Sequence, residues 1–166
     1  MKKIIILCAF LLLVSGCGNK TVDKITTYTA NDGMERKFRC SIPESWTYSD
    51  DDNSTTFLLN STDELNIVYL GGDSSFDNMK DQFASLGNNP AIKIEYQVLD
   101  DEIDDDNSIR LLKYTRIETD GNLYQYGYIV DFLWNGMMSI STSKLKTATN
   151  PYEKEMTDLI DSLKAI

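Results

Sequence analysis

The sequence of 166 residues predicts an α+β fold: a mainly antiparallel β-sheet flanked by helices on both faces, an α/β/α sandwich. Three observations lead to this prediction. Apolar and polar residues alternate with the period of a strand along most of the chain, and turn signals such as Asp120-Gly121 and Asn135-Gly136 separate the alternating segments. Two further segments show helical spacing instead. Because short turns join antiparallel strands, and a sheet must bury its apolar faces, helices are expected to cover it.

Turn chemistry delimits the predicted strands. Asn31-Asp32-Gly33 separates the strand Ile25–Thr29 from Met34–Ile42, as expected for a hairpin. Pro43 ends the second of these strands, because proline has no N–H to donate to a neighbouring strand. The other predicted strands are Thr55–Leu59, Leu65–Leu70, a segment around Ile92 to Val98, Ile109–Glu118, Leu123–Trp134 and Met137–Ser143.

Two segments are predicted to be helical. In the first, apolar residues recur from Phe76 to Leu86, and Ser74 is the predicted N-cap. The second is predicted to have Asn150 as its N-cap, with Pro151 at the first helical position. Its apolar stripe comprises Tyr152, Met156, Leu159, Ile160, Leu163 and Ile166.

The N-terminus resembles an export signal. Lys2 and Lys3 precede the apolar run Ile4–Val14, which as a helix of about 16 Å is too short to cross a hydrocarbon core of ~30 Å. The sequence Leu13-Val14-Ser15-Gly16-Cys17 that follows resembles the lipobox of bacterial lipoproteins. The resemblance implies cleavage before Cys17, a diacylglyceryl group on its sulfur, and attachment to the extracytoplasmic face of the bacterial cell membrane.

These features divide the chain into three predicted parts: a signal peptide over 1–16, a lipidated cysteine with a polar tether over 17–24, and a single globular domain over 25–166. Cys8 leaves with the signal and Cys17 carries lipid, so Cys40 is the remaining thiol and no intrachain disulfide can form. Because Cys40 alternates with Phe38 and Ile42, we expect it to be a small buried hydrophobe.

The residues Phe38 to Trp46 read Phe-Arg-Cys-Ser-Ile-Pro-Glu-Ser-Trp and resemble the PsbP-like family, above all in Ile42-Pro43 with Trp46. The strand pair ahead of the first helix and the terminal helix Tyr152–Lys164 support the resemblance. It implies an antiparallel sheet between helices and a non-enzymatic role. The family includes photosystem II extrinsic proteins, a binder of a nuclear-transport GTPase and many bacterial lipoproteins without an assigned activity. The resemblance transfers no site residue.

Composition excludes several classes of function. Removal of Lys2 and Lys3 leaves 14 basic against 26 acidic side chains, a net charge of −12, which argues against nucleic acid as a partner. The chain contains no histidine, which excludes Ser-His-Asp and Cys-His catalysis and histidine-ligated metals. The sequence therefore favours a non-enzymatic protein. A hydrolase of wall or extracellular polymers that uses a pair of carboxylates stays open as an alternative.

Two clusters are candidate binding sites. The acidic stretch Asp100–Asp106 is interpreted first as a solvated loop and alternatively as a Ca²⁺ site for cation sensing. The row of aromatic residues in Leu123–Trp134 is interpreted first as a core face and alternatively as a platform for a ligand. The candidate ligands to Ca²⁺ are Asp100, Glu102, Asp104, Asp105 and Asp106, and the candidate platform comprises Tyr124, Tyr126, Tyr128 and Trp134.

Together these observations predict a lipid-anchored extracytoplasmic lipoprotein that acts by binding. The membrane is its expected partner through Cys17, and either an envelope protein or a small ligand is its expected binding partner.

Overall fold

The computed structural model of the protein describes residues 20–30, 33–71, 75–86, 91–101, 109–118, 122–132 and 135–166. Within these ranges lie ten strands and two helices, and the strands pair antiparallel, as predicted. The elements are β1 (Thr21–Thr29), β2 (Glu35–Pro43), β3 (Thr47–Asp51), β4 (Ser54–Leu58), β5 (Glu64–Gly71), α1 (Phe76–Leu86), β6 (Ile92–Asp100), β7 (Ile109–Glu118), β8 (Tyr124–Phe132), β9 (Gly136–Thr142), α2 (Glu153–Ser162) and β10 (Lys164–Ala165).

A small sheet has the strand order β1-β2-β10. The β1–β2 hairpin is the predicted one, and Gly33 adopts the positive φ of 77° that its turn requires. β2 ends at Pro43, also as predicted. Cys40 lies on the inner face of β2 and is 1% exposed, which confirms that it is a buried hydrophobe, and burial raises the pKa of its thiol to about 11.

A larger sheet has the order β3-β4-β5-β9-β8-β7-β6. The turn between β8 and β9 contains Gly136 with φ of 89°, consistent with the predicted Asn135-Gly136 hairpin. The sequence missed β3. All five of its residues are exposed, so this edge strand has no alternation of apolar and polar residues from which it could be predicted.

Neighbouring residues of the large sheet belong to two different hydrophobic clusters. Tyr128 and Val130 pack in one cluster with α2 and the small sheet, whereas Ile129 packs in the other with Phe76 and Phe83 of α1. Side chains alternate along a strand, so the two clusters use opposite sides of β8. The first cluster is the larger. Trp46 is partly buried against it, with its ring centroid 5.8 Å from that of Phe57.

Several element boundaries in the structure differ from those predicted. β1 begins at Thr21, so the second half of the predicted tether is a strand that pairs with β2 up to Pro43. Ser75 caps α1, because its Oγ accepts a hydrogen bond of 3.0 Å from the Asn78 amide. The predicted cap, Ser74, lies outside the described residues.

The terminal helix also differs from its prediction. α2 ends at Ser162, because the chain turns there to form β10 beside β2, and Ile166 is exposed rather than part of the apolar stripe. At the other end, Asn150 does not cap the helix directly. Its Oδ1 accepts a bond from the amide of Tyr152, the residue that precedes α2.

Candidate functional site

One face of the large sheet carries a polar surface beside α1. The helix packs Phe76 and Phe83 over Leu112, Ile129 and Met137. Strand alternation puts a set of polar side chains on the same face beside this cluster, to which the ring of Tyr114 also belongs. We call this surface the open face, and define it by Thr56, Asn66, Tyr114, Arg116, Gln125, Ser139 and Ser141.

Strand register aligns the open face into a row across neighbouring strands. Ser141 of β9 pairs with Asn66 of β5, which pairs with Thr56 of β4. The Thr56 hydroxyl donates a bond of 2.7 Å to Asn66 Oδ1, and Gln125 Nε2 donates one of 3.3 Å to Ser141 Oγ. These side chains are half-buried, apart from the buried Ser141, so the row offers amide and hydroxyl groups at an accessible surface.

Tyr114 reaches this row because its neighbour on β8 is a glycine. The Tyr114 ring lies over Gly127, where an added Cβ would be 2.4 Å from Tyr114 Cζ. Its hydroxyl lies 3.3 Å from Ser139 Oγ. Burial raises the pKa of Tyr114, while the contacts with Ser139 and Ser141 and the charge of Arg116 partly offset this effect. Tyr114 therefore stays a neutral phenol that can donate or accept a hydrogen bond at physiological pH.

Arg116 is the cation of the open face. It lies opposite Gln125 on β8 and is half-buried, and its buried Nε has no hydrogen-bond partner. Among the residues that the structure describes, no carboxylate forms an ion pair with it. Arg110 on the same strand differs, because its Nε and Nη2 donate to Asp131 Oδ2 at 3.0 and 2.5 Å. A partly buried guanidinium without an acidic partner can bind a carboxylate or carbonyl group of a ligand.

The predicted aromatic platform lies mainly in the interior. Tyr126 and Tyr128 are 5% and 2% exposed, and Tyr124 is half-buried with its ring stacked parallel to that of Tyr126 at 6.3 Å. The Tyr126 hydroxyl donates to Thr147 O at 2.6 Å. Trp134 lies outside the described residues. The rings of Tyr126 and Tyr128 are packed against the protein, and they are therefore not accessible to a ligand.

The Tyr128 hydroxyl is also engaged, since it donates a bond of 2.6 Å to Glu153 Oε1 at the start of α2. The same oxygen accepts from Lys113 Nζ at 2.5 Å, and Asn150 Nδ2 donates to the other oxygen at 2.9 Å. Burial raises the pKa of Tyr128, and the bond to the Glu153 carboxylate raises it further. The cluster joins α2 to the large sheet.

Most of the proposed Ca²⁺ ligands lie outside the residues that the structure describes. Asp100 ends β6, while Glu102, Asp104, Asp105 and Asp106 lie outside the described residues, as does Cys17. Within the described ranges, no group of three acidic or cysteine side chains is arranged to hold a metal ion. In that same part of the chain, neither helix is long and apolar enough to span a bilayer.

The sequence analysis missed the open face. Its residues come from five strands, and each one taken alone has the polarity of an ordinary solvent-facing position. One signal was present: Ser139 and Ser141 alternate with apolar residues in a strand whose other face is buried. Finding the site requires the register that aligns them with Asn66 and Thr56.

Comparison with known proteins supports the fold. No family model and no curated protein matches the chain. The structure is similar to the solution structure of cyanobacterial PsbP (CyanoP) from Synechocystis sp. PCC 6803, with a TM-score of 0.52. The similarity extends over 92% of this chain and 99% of that one at 11% sequence identity. The predicted PsbP-like fold is thereby confirmed, and at this identity the likeness concerns the fold alone.

Proposed function

We propose that the protein is a lipid-anchored extracytoplasmic binding module, held by a diacylglyceryl group on Cys17, that binds a peptide segment of an envelope protein through the open face. The lipobox sequence supports the anchor. A non-enzymatic role agrees with the absence of histidine and with the sequence resemblance of Phe38 to Trp46 to the PsbP-like family. We further infer an α/β/α arrangement with helices on both faces of the large sheet, because α1 and α2 contribute to clusters on opposite sides of β8.

The proposal that a ligand binds at the open face rests on Arg116. The chain has 26 acidic residues, yet this half-buried guanidinium pairs with none of those that the structure describes. Burial of an unpaired charge is unfavourable, so the binding of an acidic group there would recover stabilisation that the free protein lacks. The adjacent amide and hydroxyl groups of Gln125, Ser141 and Asn66 suit the N–H and C=O groups of a peptide backbone.

Site-specific photo-cross-linking in the native membrane tests this proposal. A photoreactive residue is placed at Asn66 on the open face of the full-length protein. The matched control carries it at Ile25, which is 53% exposed on the outer face of the small sheet. We expect a discrete protein adduct from position 66 that is absent from position 25.

The variant Arg116→Gln then tests the role of the cation. It keeps hydrogen-bond donors but removes the charge, and we expect it to reduce the adduct from position 66. Identical adducts from both positions, or an adduct that Arg116→Gln leaves unchanged, would contradict binding at the open face. The anchor is tested separately by mass spectrometry of the native protein, which is expected to show a lipidated N-terminal Cys17.

A further inference from the structure

β1, the N-terminal strand, begins at one end of the domain, next to the turn that contains Trp46. The Glu44 amide donates a bond of 2.8 Å to Lys20 O, and Thr21 pairs with Pro43. The chain then turns back, with the Trp46 amide bonded to Pro43 O at 3.0 Å, and enters β3. We call this region, Lys20–Val22 with 43–48, the N-terminal end.

Exposed apolar groups cluster at the N-terminal end. Val22 is 45% and Tyr48 52% exposed, and the rings of Tyr48 and the partly exposed Trp46 both pack on Phe57. Lys24 Nζ lies 3.8 Å from the centroid of the Tyr48 ring. Tryptophan and tyrosine are enriched where proteins meet the water–lipid interface, because their rings are apolar and their tips are polar.

The predicted anchor would hold this same end close to the membrane. Cys17 precedes Lys20 by three residues, which can span about 10 Å when fully extended. A lipid on Cys17 therefore leaves little room between the headgroups and the turn that contains Trp46. This step rests on the anchoring put forward under the proposed function.

Carboxylates lie both near this surface, as Glu44 and Asp50, and at the far end of the large sheet. Six antiparallel pairings separate β3 from β6 in the large sheet, so the two strands run in the same direction. β6 runs away from the N-terminal end and finishes in Asp100, whereas Asp50 of β3 lies two residues from Tyr48 and forms an ion pair of 2.6 Å with Lys24. The nine residues of β6 span about 25 Å. That distance exceeds the screening length of about 8 Å at physiological salt, so Asp100 does not repel an anionic bilayer at the N-terminal end.

We propose that Val22, Trp46 and Tyr48 form a membrane-contact surface that inserts into the lipid headgroup layer and orients the anchored domain, with the far end of β6 pointing away from the bilayer. The surface fixes the tilt of the domain, which attachment through a single lipidated residue would leave free. The occupant of this surface is the lipid itself, not a protein partner.

The test uses the chain from residue 17, which contains every described strand and helix. Cys17 is coupled to a maleimide lipid in vesicles of phosphatidylcholine and phosphatidylglycerol. Coupling is selective because Cys40 is buried and its pKa is raised to about 11. With Trp134→Phe, Trp46 is the single tryptophan. We expect brominated lipids to quench most of its emission and its maximum to shift to shorter wavelength.

Two comparisons make the test specific. The reciprocal variant Trp46→Phe reports Trp134, and we expect little quenching of that residue. Tyr48→Ser is expected to reduce the quenching of Trp46, whereas Tyr96→Ser, at another exposed tyrosine, is expected to leave it unchanged.

Thermal unfolding of each variant verifies that it is folded. Equal quenching of the two tryptophans, or none of Trp46, would overturn the proposal. Chemical coupling makes this result independent of whether the cell lipidates Cys17.

Discussion

The Tyr114 ring lies directly over Gly127, and this contact lets a core tyrosine reach the open face. Any side chain at position 127 would have to displace the ring from both Ser139 and the core. The requirement for glycine here is steric and arises from the close approach of the neighbouring strand.

We therefore expect Gly127→Ala to lower the free energy of unfolding by about 1–3 kcal/mol, because the added methyl group overpacks the site. Chemical denaturation measures the loss. In a Tyr114→Ala background the ring is gone, so the penalty of Gly127→Ala should become much smaller. A penalty of equal size in both backgrounds would show that the ring is not its cause.

Glu153 connects α2 to the sheet and predicts a pH dependence. Burial raises the pKa of this carboxyl, but the hydrogen bonds from Lys113, Tyr128 and Asn150 more than offset the effect, so its pKa lies below the ordinary value. A carboxylate whose pKa is lowered by folding stabilises the protein above its unfolded pKa. That contribution is lost as the pH falls through the folded pKa.

Glu153→Gln should accordingly lower the free energy of unfolding at pH 7 by about 1 kcal/mol, a value that allows for solvent screening of a partly exposed group. The difference from the wild type should narrow as the pH falls below about 4 and the Glu153 carboxylate takes up a proton. Urea unfolding at a series of pH values measures it. A difference that stays constant down to pH 3 would contradict the role of the charge.

At the scale of elements, α1 covers only part of its sheet face and thereby leaves the open face accessible. The helix is positioned at its start, where the Arg110 guanidinium lies 4.8 Å from the centroid of the Phe76 ring and also binds Asp131. Ser75 caps the same turn. The first turn of α1 therefore joins the helix to β7 and β8.

Ser75→Ala should reduce stability by about 1 kcal/mol, because the Asn78 amide loses its acceptor. Ser74→Ala is the matched control, since sequence alone made Ser74 the cap. Thermal unfolding of the two variants distinguishes the two assignments. A larger effect at Ser74 than at Ser75 would show that the observed cap is not the important one.

At the scale of the whole molecule, the excess of acidic charge should limit stability. Removal of the predicted signal leaves a net charge of −12, and like charges repel in the folded state. We expect NaCl to raise the melting temperature through screening.

The same measurement tests the calcium hypothesis. A Ca²⁺ site at Asp100–Asp106 would make millimolar CaCl₂ more stabilising than NaCl at equal ionic strength. The combined changes Asp104→Asn, Asp105→Asn and Asp106→Asn should then remove the additional increase. If CaCl₂ and NaCl act alike, the acidic stretch is a solvated loop.

Local patterns in the sequence determined most of the elements of this protein. Alternation and turn residues located β2, β7 and the β8–β9 hairpin, because side-chain period and backbone φ depend on neighbouring residues. The same reasoning identified Cys40 as buried. It missed β3, whose residues are all exposed, and β10, which exists only because β2 lies beside it.

Only the tertiary structure decided which surfaces can act. Strand register brought Arg116, Ser141 and Asn66 onto one face, and the extent of α1 left that face open. The fold likewise brings Val22 next to the segment that contains Trp46 and Tyr48. A sequence specifies the polarity of each position, but the pairing of distant strands determines which positions become neighbours.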